Sequence, residues 1–547
     1  MRFLPAGSGG LLIEVANLEQ ALALFGSLRR DPVEGVEELV PAARTVLVRF
    51  RPSLTDPGRI AAQVRDRRLT RATAEQEDGP LVNIPVHYDG EDLPDIARSC
   101  GLSEAEVVRR HTAATYSVAF TGFAPGFAYL AGGDPALRVP RRSSPRISIP
   151  AGAVGLAGEY SGVYPRASPG GWQLLGRTTV LMWDLDRANP ALLQPGMRVQ
   201  FVNAGQANAE TIGPNSVEAA TSQPNSNEPA EGGRALAVLS PGALSILEDL
   251  GRPGQSGLGV SRSGAMDHGA LRRANRLVGN PSDAPALEVA SGGLRVRARG
   301  DLVLALAGAP AGLAIEAPGG NRVVRAEVAF ALDDGEVLTL GAPPRGVHSY
   351  LAVRGSFAVD RVLGSASGDV LSGIGPPPLQ AGDVLTIGTR PTVGAVVIDA
   401  SPAPPLPAAI DVVWLDIVLG PRADWCTPES VQRFTAQEWT VTPQSNRVGL
   451  RLQGKAGIDR STTEELPSEA TVAGAVQIPP SGQPVLFMAD HPVTGGYPVI
   501  GCVAAHHLDL AAQVPVTGRI RFRVVTGFDD KSPDASKHPA HQGGPPA

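Results

Sequence analysis

A turn containing glycine, followed by a strand of alternating apolar and polar residues, occurs three times in this chain. The copies lie at 193–201, 379–387 and 513–522, and the third is the loosest match. Alternation of this kind is typical of a strand with one buried face, and a repeated pattern indicates a repeated structural unit. Because the copies are evenly placed, each is expected to close one β unit of the chain.

The composition favours the same fold class. The 547 residues include 64 glycines and 50 prolines, and 43% of all residues are hydrophobic. Such a chain can build cores but is interrupted too often for long helices, so we expect a mainly β protein. A net charge of −6 with both signs interspersed predicts neither a nucleic-acid partner nor a membrane partner. No apolar stretch approaches the roughly 18 residues of a membrane span, so a cytoplasmic protein is expected.

The chain is predicted to have six parts. A small α/β domain of the ferredoxin-like kind is expected first, because strands 11–15 and 44–50 alternate with helices 17–28 and 57–67. Three β units follow, with a polar linker after the first and a disordered tail at the end. The predicted ranges are 1–81 for the α/β domain, 82–203, 234–395 and 396–528 for the β units, 204–233 for the linker and 529–547 for the tail.

Two glycine-rich passages far apart in the chain are candidates for ligand-binding loops. Each begins with Gly-Ala-Val, at Gly152 and at Gly474, and each reaches a Gly-Gly-aromatic turn about twenty residues later, ending at Trp172 or Tyr497. A glycine pair lets the backbone approach a ligand closely, and an aromatic ring supplies a wall. The alternative, a pair of tight turns with a core aromatic, is equally compatible with the spacing.

Several common chemistries are absent from the sequence. There is no phosphate-binding Gly-x-x-x-x-Gly-Lys-Ser/Thr loop, no Gly-x-Ser-x-Gly elbow between a strand and a helix, and no Cys-x-x-Cys pair. His506 and His507 are adjacent and, in a strand, would point to opposite faces. No metal site is therefore predicted.

A few charged residues among the glycines are candidates for ligand contacts. Arg447 and Arg451 lie near a predicted turn, and Arg142 and Arg146 lie in the run PRRSSPR. Arginine is suited to planar recognition of carboxylate or phosphate, although all four could equally be solvated. His111, in a predicted helix, is either a catalytic residue or a satisfied structural histidine.

These motifs make two families recognisable. Residues 1–203 resemble the B subunit of 5-oxoprolinase, also called Kip inhibitor or allophanate hydrolase subunit 1, in GFAPGFAYL (122–130), PRRSSPRISIPAGAVGLAG (140–158) and GVYPRASPGGWQLLGRT (162–178). Residues 235–528 resemble the C subunit, also called Kip antagonist or allophanate hydrolase subunit 2. The motifs there are EDLGRPGQSGLGVSRSGAMD (248–267), ANRLVGN (274–280), SNRVGLRL (445–452), GAVQIPPSGQPV (474–485) and ADHPVTGGYP (489–498). Both modules are also similar to the carboxyltransferase portion of urea carboxylase, so the chain resembles a natural B–C fusion.

The resemblance implies three cyclophilin-like β-barrels and a site where the B and C halves meet. The implied catalytic residues are Asp490, Tyr497, His111 and Arg451. The implied substrate- or nucleotide-binding residues are Asp249, Arg447, Gln477, Thr494, Gly495, Gly496, Pro169, Gly170, Gly171 and Trp172. The chain departs from the family pattern at Val448 and at 375–378, and the second departure puts an anion contact from that loop in doubt.

The resemblance also implies an activity. It is the opening of 5-oxo-L-proline to L-glutamate, driven by ATP with Mg²⁺. The partners expected are a separate A subunit and, in a homo-oligomer, further copies of this chain. Alternatives are a biotin-dependent carboxyltransferase acting on urea or a similar amide, with no biotin attached to this chain, and a non-enzymatic regulator that binds a histidine kinase. If Asp490 and Tyr497 are functional, Asp490→Asn is expected to abolish activity with little loss of stability.

Overall fold

The computed structural model describes residues 1–67, 69, 79–142, 144, 146–205, 233–389 and 403–525. The predicted tail 529–547 lies outside the described residues, and so does the predicted linker 204–233 apart from residues 204, 205 and 233. Within the described ranges, no helix has the length and apolar character needed to cross a membrane.

The N-terminal domain is a four-stranded sheet covered by two helices. Its elements are β1 (Arg2–Pro5), β2 (Gly10–Glu14), α1 (Leu18–Arg30), β3 (Val36–Pro41), β4 (Thr45–Phe50) and α2 (Pro57–Arg65). Both helices begin where the sequence indicates, because the side chains of Asn17 and Asp56 accept the N–H groups of Gln20 and Arg59.

The strand order β1-β2-β4-β3 contains the split βαβ unit that the sequence predicts. Strands β2 and β3 run parallel, with β4 antiparallel between them. Strand β1 pairs with the free edge of β2, the position that a last strand after α2 would occupy in a ferredoxin-like domain. Strands β1 and β3 were not predicted, because β1 has only four residues and β3 carries two adjacent glutamates.

The B-half β unit is a nearly closed barrel. Its elements are β5 (Leu81–Val86), α3 (Leu93–Cys100), α4 (Glu104–Ala113), β6 (Thr115–Thr121), β7 (Ala128–Ala131), β8 (Arg146–Ile149), β9 (Ala153–Ala157), β10 (Tyr160–Val163), β11 (Ser168–Gly170), β12 (Gln173–Arg177) and β13 (Arg198–Asn203). The main sheet has the order β12-β9-β10-β7-β6-β13-β5, and a bridge between His87 and Arg177 joins its two edges. The predicted closing strand, β13, pairs with both β6 and β5.

The middle domain consists of two sheets around one apolar core. Its elements are β14 (Ala235–Pro241), β15 (Leu244–Glu248), α5 (His268–Leu277), β16 (Ala286–Ala290), β17 (Leu294–Arg299), β18 (Leu302–Gly308), β19 (Leu313–Glu316), β20 (Arg322–Val324), β21 (Ala329–Leu332), β22 (Val337–Leu340), β23 (His348–Val353) and β24 (Val384–Thr386). The sheets have the orders β20-β19-β22-β17-β14-β24 and β15-β16-β23-β18-β21. Buried leucine and valine side chains from both sheets form a core between them, and α5 packs through a second apolar cluster onto one of the sheets.

The C-terminal domain is a closed barrel with a small ribbon beside it. Its elements are β25 (Val412–Leu419), α6 (Pro428–Ala436), β26 (Trp439–Val441), β27 (Gly449–Gln453), β28 (Glu469–Ala470), β29 (Ala475–Gln477), β30 (Val485–Phe487), β31 (Thr494–Gly495), β32 (Val499–Val503), α7 (Leu508–Ala512) and β33 (Arg519–Val524). The barrel order is β25-β32-β29-β30-β27-β26-β33, and β33 closes it by pairing parallel with β25. The ribbon of β28 and β31 carries the second glycine-rich passage to the side of the barrel. The mainly β class with barrel domains is confirmed.

Candidate functional site

The two halves of the chain meet at the loop 121–127 of the GFAPGF motif. The hydroxyl oxygen of Thr494 accepts the N–H of Phe123 at 3.0 Å. On the other side, the hydroxyl of Thr121 donates to the carbonyl of Gly257 at 2.8 Å. Phe123 adopts a φ of 64°, a left-handed conformation that is costly for a bulky residue, in a loop that contacts both C-half domains.

The second glycine-rich passage approaches side chains from both halves of the chain. The amide of Gln477 donates to the carbonyl of Tyr497 at 3.2 Å. A Cβ atom placed on Gly495 would lie 2.7 Å from Nε2 of Gln477, and one on Gly496 would lie 2.6 Å from Nη1 of Arg141. A larger residue at either position would have to displace the end of one of these side chains, and Tyr497 remains 37% exposed at the edge of the loop. The loop stays a candidate for ligand binding.

Arg141 is the B-half cation that reaches this loop. Its Nη2 donates to the hydroxyl oxygen of Ser468 at 3.3 Å, and Ser468 donates to the phenol oxygen of Tyr129 at 3.3 Å. The candidates predicted from the sequence were instead Arg142 and Arg146.

Both of those arginines donate to one carboxylate oxygen of Asp92, at 2.6 and 2.8 Å, so neither is free to clamp an anion. No sequence signal separates Arg141 from its neighbour Arg142, since only the folded segment before β8 decides which of the two faces the C half.

The first glycine-rich passage sends its aromatic residue into the B-half core, while Pro169 is exposed and Gly170 and Gly171 are half-buried. Trp172 is buried and packs edge-on against Phe127 and Tyr129, with ring centroids 5.3 and 5.6 Å apart. A Cβ atom on Gly170 would lie 2.4 Å from the hydroxyl of Tyr164. The core-aromatic alternative is therefore correct for this passage. Pro169 and Gly170 lie in β11, and the carbonyl of Gly171 accepts the N–H of Arg142.

A buried ion cluster lies at the base of the second loop and joins the middle domain to the C-terminal barrel. Arg447 is 2% exposed and contacts Asp490 through Nε at 3.0 Å and Glu248 through Nη2 at 3.1 Å. It also donates to Glu288. Asp490 accepts two further hydrogen bonds, from the hydroxyl of Ser263 at 2.6 Å and from the N–H of Val370 at 3.0 Å.

The cluster contains more carboxylates than cations, and its members titrate differently. Burial raises the pKa of Glu248 well above its usual value, since neither of its oxygens accepts a hydrogen bond from the described residues. Burial also raises the pKa of Asp490, against the opposing effect of Arg447. For Glu288, burial is outweighed by Arg447 together with the hydroxyl of Tyr350, and the pKa is lowered.

These positions change what Asp490 and Arg447 are expected to do. Both are enclosed, so they hold the segment leading to Thr494 in place and do not themselves face a substrate. Because Asp490 is one partner of a buried ion pair, Asp490→Asn is expected to cost stability, contrary to the sequence-based expectation.

Asp249 is also enclosed and has a structural role. Its carboxylate accepts from the hydroxyls of Ser365 and Ser367 at 2.6 and 2.7 Å and from the N–H groups of Ala366 and Gly251, both at 2.8 Å. It therefore fixes the loop around Ser365 against the end of β15.

His111 does not belong to the site. It is fully buried in the B-half barrel, where its two ring nitrogens contact Tyr88 and Ser161 at 2.7 and 2.9 Å. Its ring stacks on Phe201, and burial lowers its pKa to about 3. The prediction of a catalytic histidine is contradicted, because this residue is neutral and satisfied in a core.

Arg451 is likewise separate from the loop. In β27 its neighbours Leu450 and Leu452 point into the barrel core, so the alternation of the strand places Arg451 on the outer surface. There it lines a shallow depression together with Gln444 and Gln483.

The pair His506 and His507 also differs from the prediction. The two residues lie in a short 3-10 helix and not in a strand, and both contact Asp416. The Nδ1 atom of His507 already accepts the backbone N–H of Asp416 at 2.8 Å, and Arg523 donates to the same carboxylate. The group is thus occupied by internal hydrogen bonds.

The chain belongs to a carboxyltransferase-like family that includes the B and C subunits of 5-oxoprolinase. Residues 1–193 match the family model for the carboxyltransferase domain, subdomain C and D, and residues 258–524 match that for subdomain A and B.

The relatives correspond to the two halves separately. The 5-oxoprolinase C subunit from Escherichia coli (strain K12) is 36% identical over 287 residues, which are 52% of this chain and 90% of that protein. The 5-oxoprolinase B subunit from Escherichia coli O157:H7 is 42% identical over 174 residues, 30% of this chain and 78% of that protein. Urea amidolyase of Lachancea kluyveri is 30% identical over 53% of this chain but only 17% of its own length.

The fused arrangement also occurs in a solved structure. The crystal structure of TTHA0988 matches with a TM-score of 0.80 and 35% identity, covering 95% of this chain and 100% of that one. The recognition of a B–C fusion is confirmed.

Proposed function

We propose that this chain is the fused B–C component of an ATP-dependent 5-oxoprolinase, which opens 5-oxo-L-proline to L-glutamate together with a separate A subunit. One observation carries the proposal. The halves similar to the B and C subunits meet beside the Thr494–Tyr497 loop, where Phe123 and Arg141 of the B half donate hydrogen bonds to Thr494 and Ser468 of the C half.

The chemistry needs stabilisation of negative charge. A lactam carbonyl is a poor electrophile, so transfer of the γ-phosphoryl group of ATP to its oxygen would activate the carbon and release ADP. Addition of water and cleavage of the ring C–N bond then give an acyl phosphate, which a second water molecule converts to glutamate and phosphate. In this proposal Arg141 and the backbone of the glycine loop hold the charge that develops on oxygen.

The magnesium ion in this proposal would be held mainly by the nucleotide. Among the described residues, the group of histidine and carboxylate side chains close enough to share an ion is Asp416, His506 and His507, whose atoms are already engaged with each other and with Arg523. Mg²⁺ is commonly bound by substrate phosphates with few protein ligands. Its contribution would be to neutralise phosphate charge.

The experiment is a glutamate-release assay with 5-oxo-L-proline and ATP. Three samples are compared: this chain alone, the isolated cognate A subunit, and both together. We expect turnover only with both. Turnover by this chain alone would contradict the need for a partner. No turnover with an A subunit that is active with its own natural partners would contradict the proposed reaction.

Carboxyl transfer is the second candidate, favoured by the family description and by the similarity to urea amidolyase. It would use carboxybiotin on a separate carrier protein, because no biotin is expected to be attached to this chain. A parallel assay supplies carboxybiotin and urea and measures the biotin that is released. Release of biotin would indicate carboxyl transfer, whereas release of glutamate in the first assay would indicate the 5-oxoprolinase reaction.

A further inference from the structure

A small polar cavity lies where the N-terminal domain, the middle domain and the C-terminal barrel meet. Glu38 and Arg49 line it from the first, Arg252 and Arg262 from the second, and His491 from the third. The cavity volume is about 20 Å³, enough for one or two waters or for the oxygen atoms of one small anion.

Arg252 is the unusual residue of this cavity. It is 1% exposed, and one of its nitrogens donates to the carbonyl of Ser367. Its Nε and Nη1 atoms have no hydrogen-bond partner among the described residues. A guanidinium is permanently charged and carries five N–H donors, so such burial is costly unless something completes its contacts.

The carboxylates of Asp369, Glu248, Asp249 and Asp490 act on Arg252 through their charge, but none accepts a hydrogen bond from its Nε or Nη1. Asp369 accepts the hydroxyl of Ser261 at 3.0 Å and two backbone N–H groups, and Asp249 is fully used by its own loop. The segment 375–378 turns close to Arg252, where a Cβ atom on Gly375 would lie 3.1 Å from Nη2. A glycine and three prolines add no side-chain donor or acceptor there.

The rest of the lining is also cationic. Arg49 and Arg262 bring the number of guanidinium groups to three, and Glu38 is the single carboxylate in the lining. Glu38 is already engaged by the N–H and hydroxyl of Ser256, at 3.2 and 2.5 Å, and by Arg49 at 3.5 Å. Burial lowers the pKa of His491 to about 4, so this residue is neutral and adds no charge.

We propose that this cavity binds a small oxyanion, a phosphate or carboxylate group, with Arg252 as its principal ligand. A planar guanidinium with two free N–H directions suits two oxygens of such a group, and Arg262 supplies a second positive charge. The proposal goes beyond the proposed function, because binding can be measured with this chain alone and without turnover.

The test is thermal denaturation and calorimetry of the full chain. Sodium phosphate, sodium acetate and 5-oxo-L-proline are each compared with sodium chloride at the same ionic strength. We expect at least one of the three to raise the Tm above the chloride control, because a ligand that binds only the folded state stabilises it. The anion with the larger effect identifies a phosphate or a carboxylate as the natural group.

Arg252→Met tests the assignment of the principal ligand. It removes the charge while keeping an unbranched side chain, and we expect at least a tenfold weaker affinity for the anion. Arg262→Gln is expected to weaken binding to a smaller extent. Arg295→Met is the matched control, since Arg295 is an exposed arginine of the same domain paired with Glu316, and its anion response should equal that of the unchanged chain.

Two results would overturn the proposal. One is an unchanged chain that responds no more to phosphate, acetate or 5-oxo-L-proline than to chloride. The other is a folded Arg252→Met variant that keeps the full response. If Arg252→Met does not fold, Arg262→Gln is tested instead. Undiminished anion binding by Arg262→Gln would then contradict the proposed site.

Discussion

At the scale of single residues, the ion pair between Arg447 and Asp490 is the contact on which the site depends most. Both side chains are buried, and Asp490 also holds Ser263 of the middle domain. Replacing Asp490 by asparagine removes one of the buried negative charges that contact the guanidinium of Arg447. We expect the free energy of unfolding to fall by about 3–5 kcal/mol and turnover to be lost.

Chemical denaturation measures this loss. The control is Glu316→Gln, which breaks an exposed pair with Arg295 and should change the free energy of unfolding by about 0–1 kcal/mol. Equal stability of Asp490→Asn and the unchanged chain would show that the cluster does not hold the domains together.

Glu248 gives a prediction about pH. Its pKa in the folded state is raised above the usual 4.5, so the folded protein keeps a proton that the unfolded chain releases. The bound proton adds its full contribution to the free energy of unfolding below pH 4.5. That contribution is lost as the pH rises toward the pKa of Glu248 in the folded protein. Compared with Glu248→Gln, the unchanged chain should lose up to about 1.4 kcal/mol per pH unit in that range. Unfolding curves at pH 5, 6 and 7 measure this difference, and parallel curves would mean that Glu248 is ionised in the folded protein.

The sequence predicts residue types at the site better than residue roles. Gln477, Thr494, Gly495, Gly496 and Tyr497 lie together at the loop. The motif gave no sign that Arg447 is enclosed or that His111 is a core residue, because burial depends on strands distant in the sequence. Arg141 was missed for the same reason.

At the scale of elements, the contact between loop 121–127 and β31 is the most restrictive. A Cβ atom on Gly122 would lie 2.3 Å from the hydroxyl oxygen of Thr494 and 2.5 Å from its methyl group. Gly122→Ala should displace Thr494 from Phe123, lower the free energy of unfolding by about 1–3 kcal/mol and reduce turnover. Gly257→Ala is the control, since nothing lies within 4 Å of its added methyl group. Equal effects of the two variants would mean that the Phe123 contact does not shape the site.

The elements themselves were partly predictable. Helices α2 and α4 begin where Asp56 and Ser103 cap them, as local sequence indicates. The short 3-10 helix at His506 was not predictable, because two histidines in an apolar context resemble a strand until their contact with Asp416 is known.

At the scale of the whole molecule, Arg422 links the N-terminal domain to the ribbon that carries the site. It is 2% exposed, donates to Glu14 of β2 at 2.9 Å and pairs with Glu469 of β28. Arg422→Met would leave Glu469 buried without its cation, so we expect a loss of about 3–5 kcal/mol in the free energy of unfolding. The loss should change little with salt, since buried pairs are weakly screened.

Arg2→Met provides the comparison for that variant. Arg2 belongs to the same ion network but is exposed, and its pairs with Glu14 and Asp424 should contribute about 0–1 kcal/mol. Similar losses in both variants would contradict the special role of Arg422. The fold class and the two-half organisation follow from the sequence, whereas this linkage does not, because its partners are hundreds of residues apart.

The most direct test of a site shared between the two halves is the turnover of Arg141→Gln with the A subunit, 5-oxo-L-proline and ATP. Arg141 is the B-half cation at the C-half loop, so its loss should lower kcat/KM by about 10²–10³-fold without changing the Tm. Arg138→Gln, a nearby exposed arginine paired with Glu159, should keep full activity. Full activity of a folded Arg141→Gln variant would contradict the shared site.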